Sequence, residues 1–266
     1  MKRRVAFVGA GMMGEALARG LLESGWTAEE FVLADVREEI LEDLAKSMGC
    51  ETTTDPLEAA TGATAVILAV KPQDASGALD RIAGALGEGG LVSIVAGLRT
   101  SAIEDQLGGR PSIIRAMPNT PARVGKGATA LAPGRYVTDA TRELADAVFS
   151  AVGPVVWLTE DKLDAVTALS GSGPAYMFLV AEALVEAGVA LGLPRDVAET
   201  LTFATIEGAG TMLRSTGEAP AVLRAQVTSP GGTTAAALAV LEAMAVRAAF
   251  GEAVRAAERR SRELGS

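Results

Sequence analysis

The sequence predicts a doubly wound α/β domain with a mostly parallel sheet, followed by an all-helical domain. Three observations carry the prediction. Short, continuous apolar runs alternate with helical patterns through residues 1–160. A G-x-G-x-x-G joins the first such run to the first helical pattern. Beyond Thr159 the strand patterns stop and only helical runs remain. Alternating strands and helices imply parallel strands joined by helical crossovers, and a strand covered on both faces must be apolar throughout.

Taken in order, residues 4–10 (RVAFVGA) form the first strand, and Gly9-Ala10-Gly11-Met12-Met13-Gly14 follows at once. Residues 15–23 then have helical apolar spacing. In that context the first glycine makes the turn, the second lets a pyrophosphate approach the backbone, and the third lets helix and strand pack closely. Residues 31–34 form a second strand ended by Asp35, which lies 21 residues after Gly14. An acidic residue there binds the adenosine ribose hydroxyls and favours NADH, whereas Arg37 could pair with the 2′-phosphate of NADPH. Asp35 could equally be the N-cap of the helical run that begins near Glu38.

The alternation continues with a helix at 57–60, a strand at 65–70 and a helix at 74–86. A strand at 91–96, a helix at 101–107 and a strand at 112–116 come next. Strands at 127–133 and 155–158 enclose a helix at 139–149. Ligands of such sheets bind beyond the carboxyl ends of the strands. Val70-Lys71-Pro72, Gly97 and the stiff turn Met117-Pro118-Asn119-Thr120-Pro121 all fall there, so Asn119 is a candidate for the nicotinamide side.

The second domain is placed at 161–266, after a dinucleotide-binding domain at 1–160. Residues 161–169 read as helix, interrupted by Ser170-Gly171-Ser172-Gly173-Pro174. Four helical runs follow at 175–191, 194–215, 221–228 and 233–264. Several are apolar nearly all round, with isolated Glu182, Glu186 and Glu207. Such helices must be covered on every side, which predicts an obligate, interleaved homodimer or a larger homo-oligomer. Between the last two runs, Ser229-Pro230 ends one helix, Gly231 and Gly232 turn tightly, and Thr233-Thr234 open the next. A helix start with bare N–H groups and two hydroxyls suits a carboxylate.

Composition narrows the chemistry. At 49% hydrophobic and 21% charged residues the chain is globular. A net charge of −9 with scattered basic residues argues against nucleic acid and against an anionic membrane surface. The apolar run after Met1-Lys2-Arg3-Arg4 is too short for a signal peptide, and residues 175–193 carry Glu182 and Glu186 near their middle, so no membrane partner is expected. The lone Cys50 excludes an intrachain disulfide and fits a reducing, cytoplasmic location. The chain has no histidine, which excludes a Ser-His-Asp triad, a His-ligated zinc and a histidine acid/base. No metal site is expected.

With these residues in view, the chain resembles the pyrroline-5-carboxylate reductases along nearly its whole length. The resemblance runs through VGAGMMGEALARGL, AVKPQ (69–73), RAMPNTP (115–121), TALSGSGPAY (167–176), EAGVALGLPR (186–195) and VTSPGGTT (227–234). SGSGPAY followed by SPGGTT is the specific part. The resemblance implies a Rossmann domain followed by an all-α dimerisation domain, with NADPH or NADH as cofactor and 1-pyrroline-5-carboxylate as substrate. It implies that Gly9, Gly11, Met12, Met13 and Gly14 hold the pyrophosphate and that Ala69, Val70, Lys71 and Pro72 contact the cofactor. It places Ser229, Gly231, Gly232, Thr233 and Thr234 on the substrate, with the Thr233 and Thr234 N–H groups on its carboxylate and the Thr234 hydroxyl near the ring nitrogen.

Three positions depart from the family pattern. The family often has Asn in the turn at Asp55-Pro56, where this chain has proline, and a small or polar residue in place of Asp35. Both changes weaken NADPH relative to NADH. The family often has His where Ala219 stands, so that histidine is dispensable here. Two other readings remain. A β-hydroxyacid dehydrogenase shares the layout but usually relies on a lysine in the helical domain, and Lys162 is the only lysine after Lys126. A non-catalytic dinucleotide-binding sensor is the other.

Overall fold

The computed structural model describes residues 3–86 and 90–265; Met1 and Lys2, part of the basic start, lie outside them. The chain forms two compact units, Met1–Ser172 with Ala257–Ser266, and Gly173–Ala256. The sequence boundary near residue 160 marks where strands end. The compact division falls twelve residues later and returns the end of the last helix to the first unit.

The first unit is built on one eight-stranded sheet of order β3-β2-β1-β4-β5-β6-β7-β8. Its strands are β1 (Val5–Val8), β2 (Phe31–Ala34), β3 (Glu51–Thr53), β4 (Ala65–Leu68), β5 (Gly90–Ser93), β6 (Ile113–Met117), β7 (Thr129–Pro133) and β8 (Val155–Trp157). β1, β2, β4 and β5 are buried at every position. Their side chains alternate between two hydrophobic clusters, one on each face of the sheet. Phe7, Phe31, Leu33 and Ile67 enter one, and Ala6, Val32, Val66 and Leu68 the other. Phe7 and Phe31 meet edge to face at 6.2 Å, an arrangement worth about 1 kcal/mol beyond the area it buries.

Six helices pack on this sheet or join its strands: α1 (Met12–Glu23), α2 (Glu38–Met48), α3 (Pro56–Ala60), α4 (Ala75–Ile82), α5 (Thr100–Leu107) and α6 (Asp139–Ser150). All pairings are parallel except β6–β7. The eleven residues between Met117 and Thr129 hold one tight turn, Thr120–Val124, and no crossover helix. A chain that short returns antiparallel.

A short helix α7 (Leu163–Val166) continues into α8 (Gly173–Ala190) through Thr167–Gly171. Sequence predicted an interruption at residues 170–174. Instead the chain stays helical through a π-turn, in which the Ser172 N–H donates to the Thr167 carbonyl at 2.8 Å. Further on come α9 (Arg195–Ser215), α10 (Pro220–Gln226), α11 (Thr233–Ala243) and α12 (Val246–Leu264). The single helix expected over 233–264 is two. Ala245 has φ of 55°, in the left-handed region, and the helices meet there at a 51° bend. An alanine carries no β-branch or glycine signal, so composition gives no warning of the break.

In the second unit the apolar helices are largely uncovered. Of its large hydrophobic side chains only Val185 is buried, while Phe178, Leu179, Leu201, Phe203 and Met244 are more than half exposed. The helical stretch Glu160–Ala190 is long and apolar enough to cross a membrane by length and composition. It carries Glu182 and Glu186, each costly in lipid.

Candidate active site

The turn after β1 is shaped for close approach. Gly9 has φ of +106°, and a Cβ there would lie 2.5 Å from the Ala69 carbonyl oxygen. A Cβ on Gly14 would lie 2.2 Å from the Gly9 carbonyl oxygen. These two glycines therefore let β1, α1 and the turn after β4 touch backbone to backbone. A Cβ on Gly11 would meet only Arg37 Nη2, at 3.8 Å, so that face of the turn is open. Gly11 is the N-cap of α1, and no side chain caps the helix. The N–H groups of the first turn, at Met12, Met13 and Gly14, thus open a twelve-residue helix with its dipole behind them. This cradle fits a dinucleotide pyrophosphate.

Asp35, at the end of β2, closes the cradle on one side. Its Oδ2 accepts from the Ala10 N–H at 2.9 Å and from Arg37 Nη2 at 2.8 Å. Its Oδ1 accepts from Arg37 Nε at 2.8 Å and from the Arg37 N–H at 3.1 Å. The N-cap of α2 is Arg37, with no side-chain cap. The reading of Asp35 as that cap is therefore corrected: its carboxylate folds back on residue 37 and on the glycine turn. Burial opposes ionisation of Asp35, but the Arg37 guanidinium and the two N–H donors outweigh it and hold the carboxyl below the usual aspartate range. A lowered folded pKa means the pair's stabilisation is complete above the ordinary aspartate value and is lost as pH falls through the lowered one.

Beside this corner, Asp55 caps α3 by accepting from the Leu57 N–H at 3.0 Å and pairs with Arg81 at 3.2 Å. Pro56 occupies the first position of that helix. The Asp35 N–H donates to the Thr53 carbonyl at 3.3 Å, so both carboxylates stand on adjoining strand ends.

Farther along the same edge, Lys71 is exposed and Pro72 opens a tight turn to Asp74. Asn119 lies beyond β6, and neither end of its carboxamide is idle. Oδ1 accepts from the Ala128 N–H at 2.8 Å, and Nδ2 donates to the Ser170 carbonyl at 3.3 Å and to Ser170 Oγ at 3.1 Å. Sequence reasoning named Asn119 but not Ser170 as its partner, because nothing local links residues 51 positions apart.

A second, partly buried polar cluster also escaped the sequence. The Glu160 carboxylate accepts from the Thr100 N–H at 2.8 Å, the Thr100 hydroxyl at 2.7 Å and Arg115 Nη1 at 3.3 Å. It thereby satisfies the start of α5 and the buried Arg115 of the RAMPNTP stretch together.

In the second unit, Gly231 has φ of +71° and Gly232 is the N-cap of α11, with no side-chain cap. The Gly232 N–H donates to the Ser229 carbonyl at 3.0 Å, and a Cβ on Gly232 would lie 2.4 Å from Ser229 Oγ. The positive φ of Gly231 thus favours glycine there, and a side chain at residue 232 would have to displace the Ser229 hydroxyl. Thr233 and Thr234 are the first two helical residues. The alternative in which Thr234 serves as the cap is excluded, because Gly232 holds that position. The N–H groups of this first turn open an eleven-residue helix.

A Rossmann-type domain with an open glycine cradle, joined to an apolar helical unit, is the layout of a dinucleotide-binding protein, and the relatives place it among the NAD(P)-dependent oxidoreductases. Residues 160–264 match the family described as pyrroline-5-carboxylate reductase dimerisation, and residues 4–97 match NADP oxidoreductase, coenzyme F420-dependent. A pyrroline-5-carboxylate reductase of Corynebacterium melassecola is 43% identical over 98% of both chains. The solved structure of a Coxiella burnetii pyrroline-5-carboxylate reductase is 38% identical and covers both chains completely, with a TM-score of 0.96. That of Plasmodium falciparum pyrroline carboxylate reductase with NADP bound is 30% identical over both full chains, with a TM-score of 0.88. The chain belongs to the pyrroline-5-carboxylate reductase family.

Proposed function

We propose that the chain reduces 1-pyrroline-5-carboxylate to proline with NADPH or NADH, gripping the substrate carboxylate at the start of α11. The observation that carries this reading is the uncapped helix start at Gly232-Thr233-Thr234, in a chain whose family is a reductase of that imine. The bound nicotinamide supplies a hydride to the imine carbon. The remaining work belongs to the protein. Gly9, Gly11, Met12, Met13 and Gly14 hold the pyrophosphate through backbone N–H groups, and Ala69, Val70, Lys71 and Pro72 line the cofactor. Ser229, Gly231 and Gly232 shape the substrate turn, and the Thr233 and Thr234 N–H groups take the carboxylate.

The Thr234 hydroxyl hydrogen-bonds the ring nitrogen. A protonated imine already carries the charge that makes its carbon electrophilic, so the site needs positioning and water exclusion more than a strong acid. That is consistent with a chain lacking histidine. The decisive assay mixes protein, imine and each reduced cofactor and follows loss of nicotinamide absorbance. Cofactor binding without turnover would favour the sensor.

Cofactor choice rests on the Asp35 corner. A 2′-phosphate bound there would face the Asp35 carboxylate, with Asp55 on the adjoining strand end, while Arg37 is already committed to Asp35. Replacing Asp35 with Ser removes one carboxylate and frees the guanidinium. The expected result, by fluorescence titration, is a Kd ratio shifted about tenfold toward NADPH, which is about 1.4 kcal/mol. An unchanged ratio would remove Asp35 from the specificity determinants.

The helical unit, proposed as 161–266 in function, completes itself by pairing with a second copy, and that copy helps to enclose the substrate. Leu179 and Leu201, more than half exposed on α8 and α9, are assigned to the covered surface. Introducing Glu at both positions would bury unpaired charge, at a cost of about 3 kcal/mol or more. Light scattering at micromolar concentration is expected to show monomer for the variant and dimer or larger for the parent. An unchanged mass would move the interface elsewhere. The protein is proposed to work in the cytoplasm, with no nucleic acid or membrane partner.

A further inference from the structure

Two of the family's sequence stretches, RAMPNTP and TALSGSGPAY, meet at Asn119. The meeting has a local cause. In an unbroken α-helix the Ser170 carbonyl would accept from the N–H of residue 174. That residue is Pro174, which has no N–H. The chain widens into a π-turn at this point, and the Asn119 amide donates to the Ser170 carbonyl from outside the helix. The orientation of the carboxamide is fixed by its partners. The end facing the Ala128 N–H must be the oxygen, and the end facing the Ser170 carbonyl must be the nitrogen.

The same contact governs the Ser170 hydroxyl. Its oxygen accepts from Asn119 Nδ2, which leaves its proton free to donate elsewhere. The π-turn also lies close against the end of β6: a Cβ on Gly171 would be 2.5 Å from the Met117 Cε. Asn119, Met117 and the π-turn thus form one packed group at the carboxyl end of β6. π-turns recur at functional sites.

We propose that Asn119 is a positioning residue for hydride transfer: its carboxamide fastens the π-turn at Ser170 to the β6–β7 turn and thereby fixes the Ser170 hydroxyl at the carboxyl end of β6, the end of such a sheet at which ligands bind. The inference rests on the reductase reading above. It assigns Asn119 a role different from a direct cofactor ligand, since both ends of its amide are already engaged within the protein.

The test uses the full-length protein, with cofactor affinity, steady-state kinetics and thermal melting measured together. Asn119→Asp keeps the acceptor for the Ala128 N–H and puts a carboxylate oxygen against the Ser170 carbonyl. Expected are an NADPH Kd within about twofold of the parent and a kcat lowered at least tenfold, in line with the ~100-fold cost of a 1 Å misplacement. Ser170→Ala, which removes only the hydroxyl contact, guards against a folding defect at Asn119. It should lower kcat alone and add nothing in an Asn119→Ala background, as coupled partners do. A tenfold loss of NADPH affinity in Asn119→Asp would make Asn119 a cofactor ligand and overturn the proposal. Unchanged kcat, or losses that add in the double variant, would overturn it too. A parent protein that binds NADPH but does not reduce the imine fails at the earlier step, before either variant is judged.

Discussion

Thr234→Ala is expected to lower kcat for imine reduction about a hundredfold at saturating cofactor, the range seen when one preorganised donor is removed from a reacting centre. The reasoning begins with the turn. Gly231 in the left-handed region and Gly232 at the N-cap place residue 234 in the first turn of α11 with no capping duty. Its hydroxyl can therefore be removed without uncapping the helix. Alanine is also the better helix former, so the melting temperature should hold or rise slightly. Thr234→Ser, which keeps the hydroxyl, should recover most of the rate. The proposed role predicts a fall in kcat with little change in cofactor affinity. Turnover near that of the parent would remove Thr234 from the mechanism.

Gly9→Ala is expected to abolish measurable NADPH and NADH binding and to destabilise the first unit. Two costs combine. Alanine at φ of +106° is strained, and its Cβ would sit 2.5 Å from the Ala69 carbonyl oxygen, a backbone atom that cannot rotate away. Strained backbone costs roughly 1–3 kcal/mol per site, and overpacking a similar amount again. The turn at residues 69–72 must move away from β1, so the proposed pyrophosphate cradle and cofactor wall separate together. Fluorescence titration and thermal melting should report both losses. A variant that binds either cofactor within threefold of the parent would show that the two turns need not touch. Gly11→Ala is the control for folding alone: a Cβ there meets only a flexible arginine end, so the melting temperature should hold although the side chain enters the space proposed for the pyrophosphate.

The fold was legible where burial dictates composition. β1, β2, β4 and β5 read as continuous apolar runs because both faces of the sheet are covered there. β3 was missed: it is three residues long, at the sheet edge and none of it buried, so nothing forces an apolar pattern. The antiparallel direction of β7 follows from a missing helix, and a strand's own sequence does not encode the direction of its neighbour. The SGSGP stretch looked like a breaker because glycine and proline are counted as such. The π-turn and an outside donor instead absorb the missing N–H.

The site divides in the same way. Gly9 and Gly14 of the first turn announce themselves because backbone contact admits no other residue. Asp35 and Arg37 were both legible, but their mutual pairing was not, since sequence offers each of them several partners. The links Asn119–Ser170 and Glu160–Thr100 join positions 51 and 60 apart. Only the tertiary fold brings them together.

The strand order also bears on synthesis. β1 is made first yet sits between β2 and β4. Once β2 has emerged, one edge of β1 is satisfied and the other still lacks its partner. The 34 residues from Ala34 to Leu68 take roughly 2–7 seconds to translate at ordinary ribosomal rates. For that interval one edge of a strand whose side chains are all apolar stays open. The charged residues of α2 and α3 that emerge meanwhile are its nearest screen against a neighbouring chain.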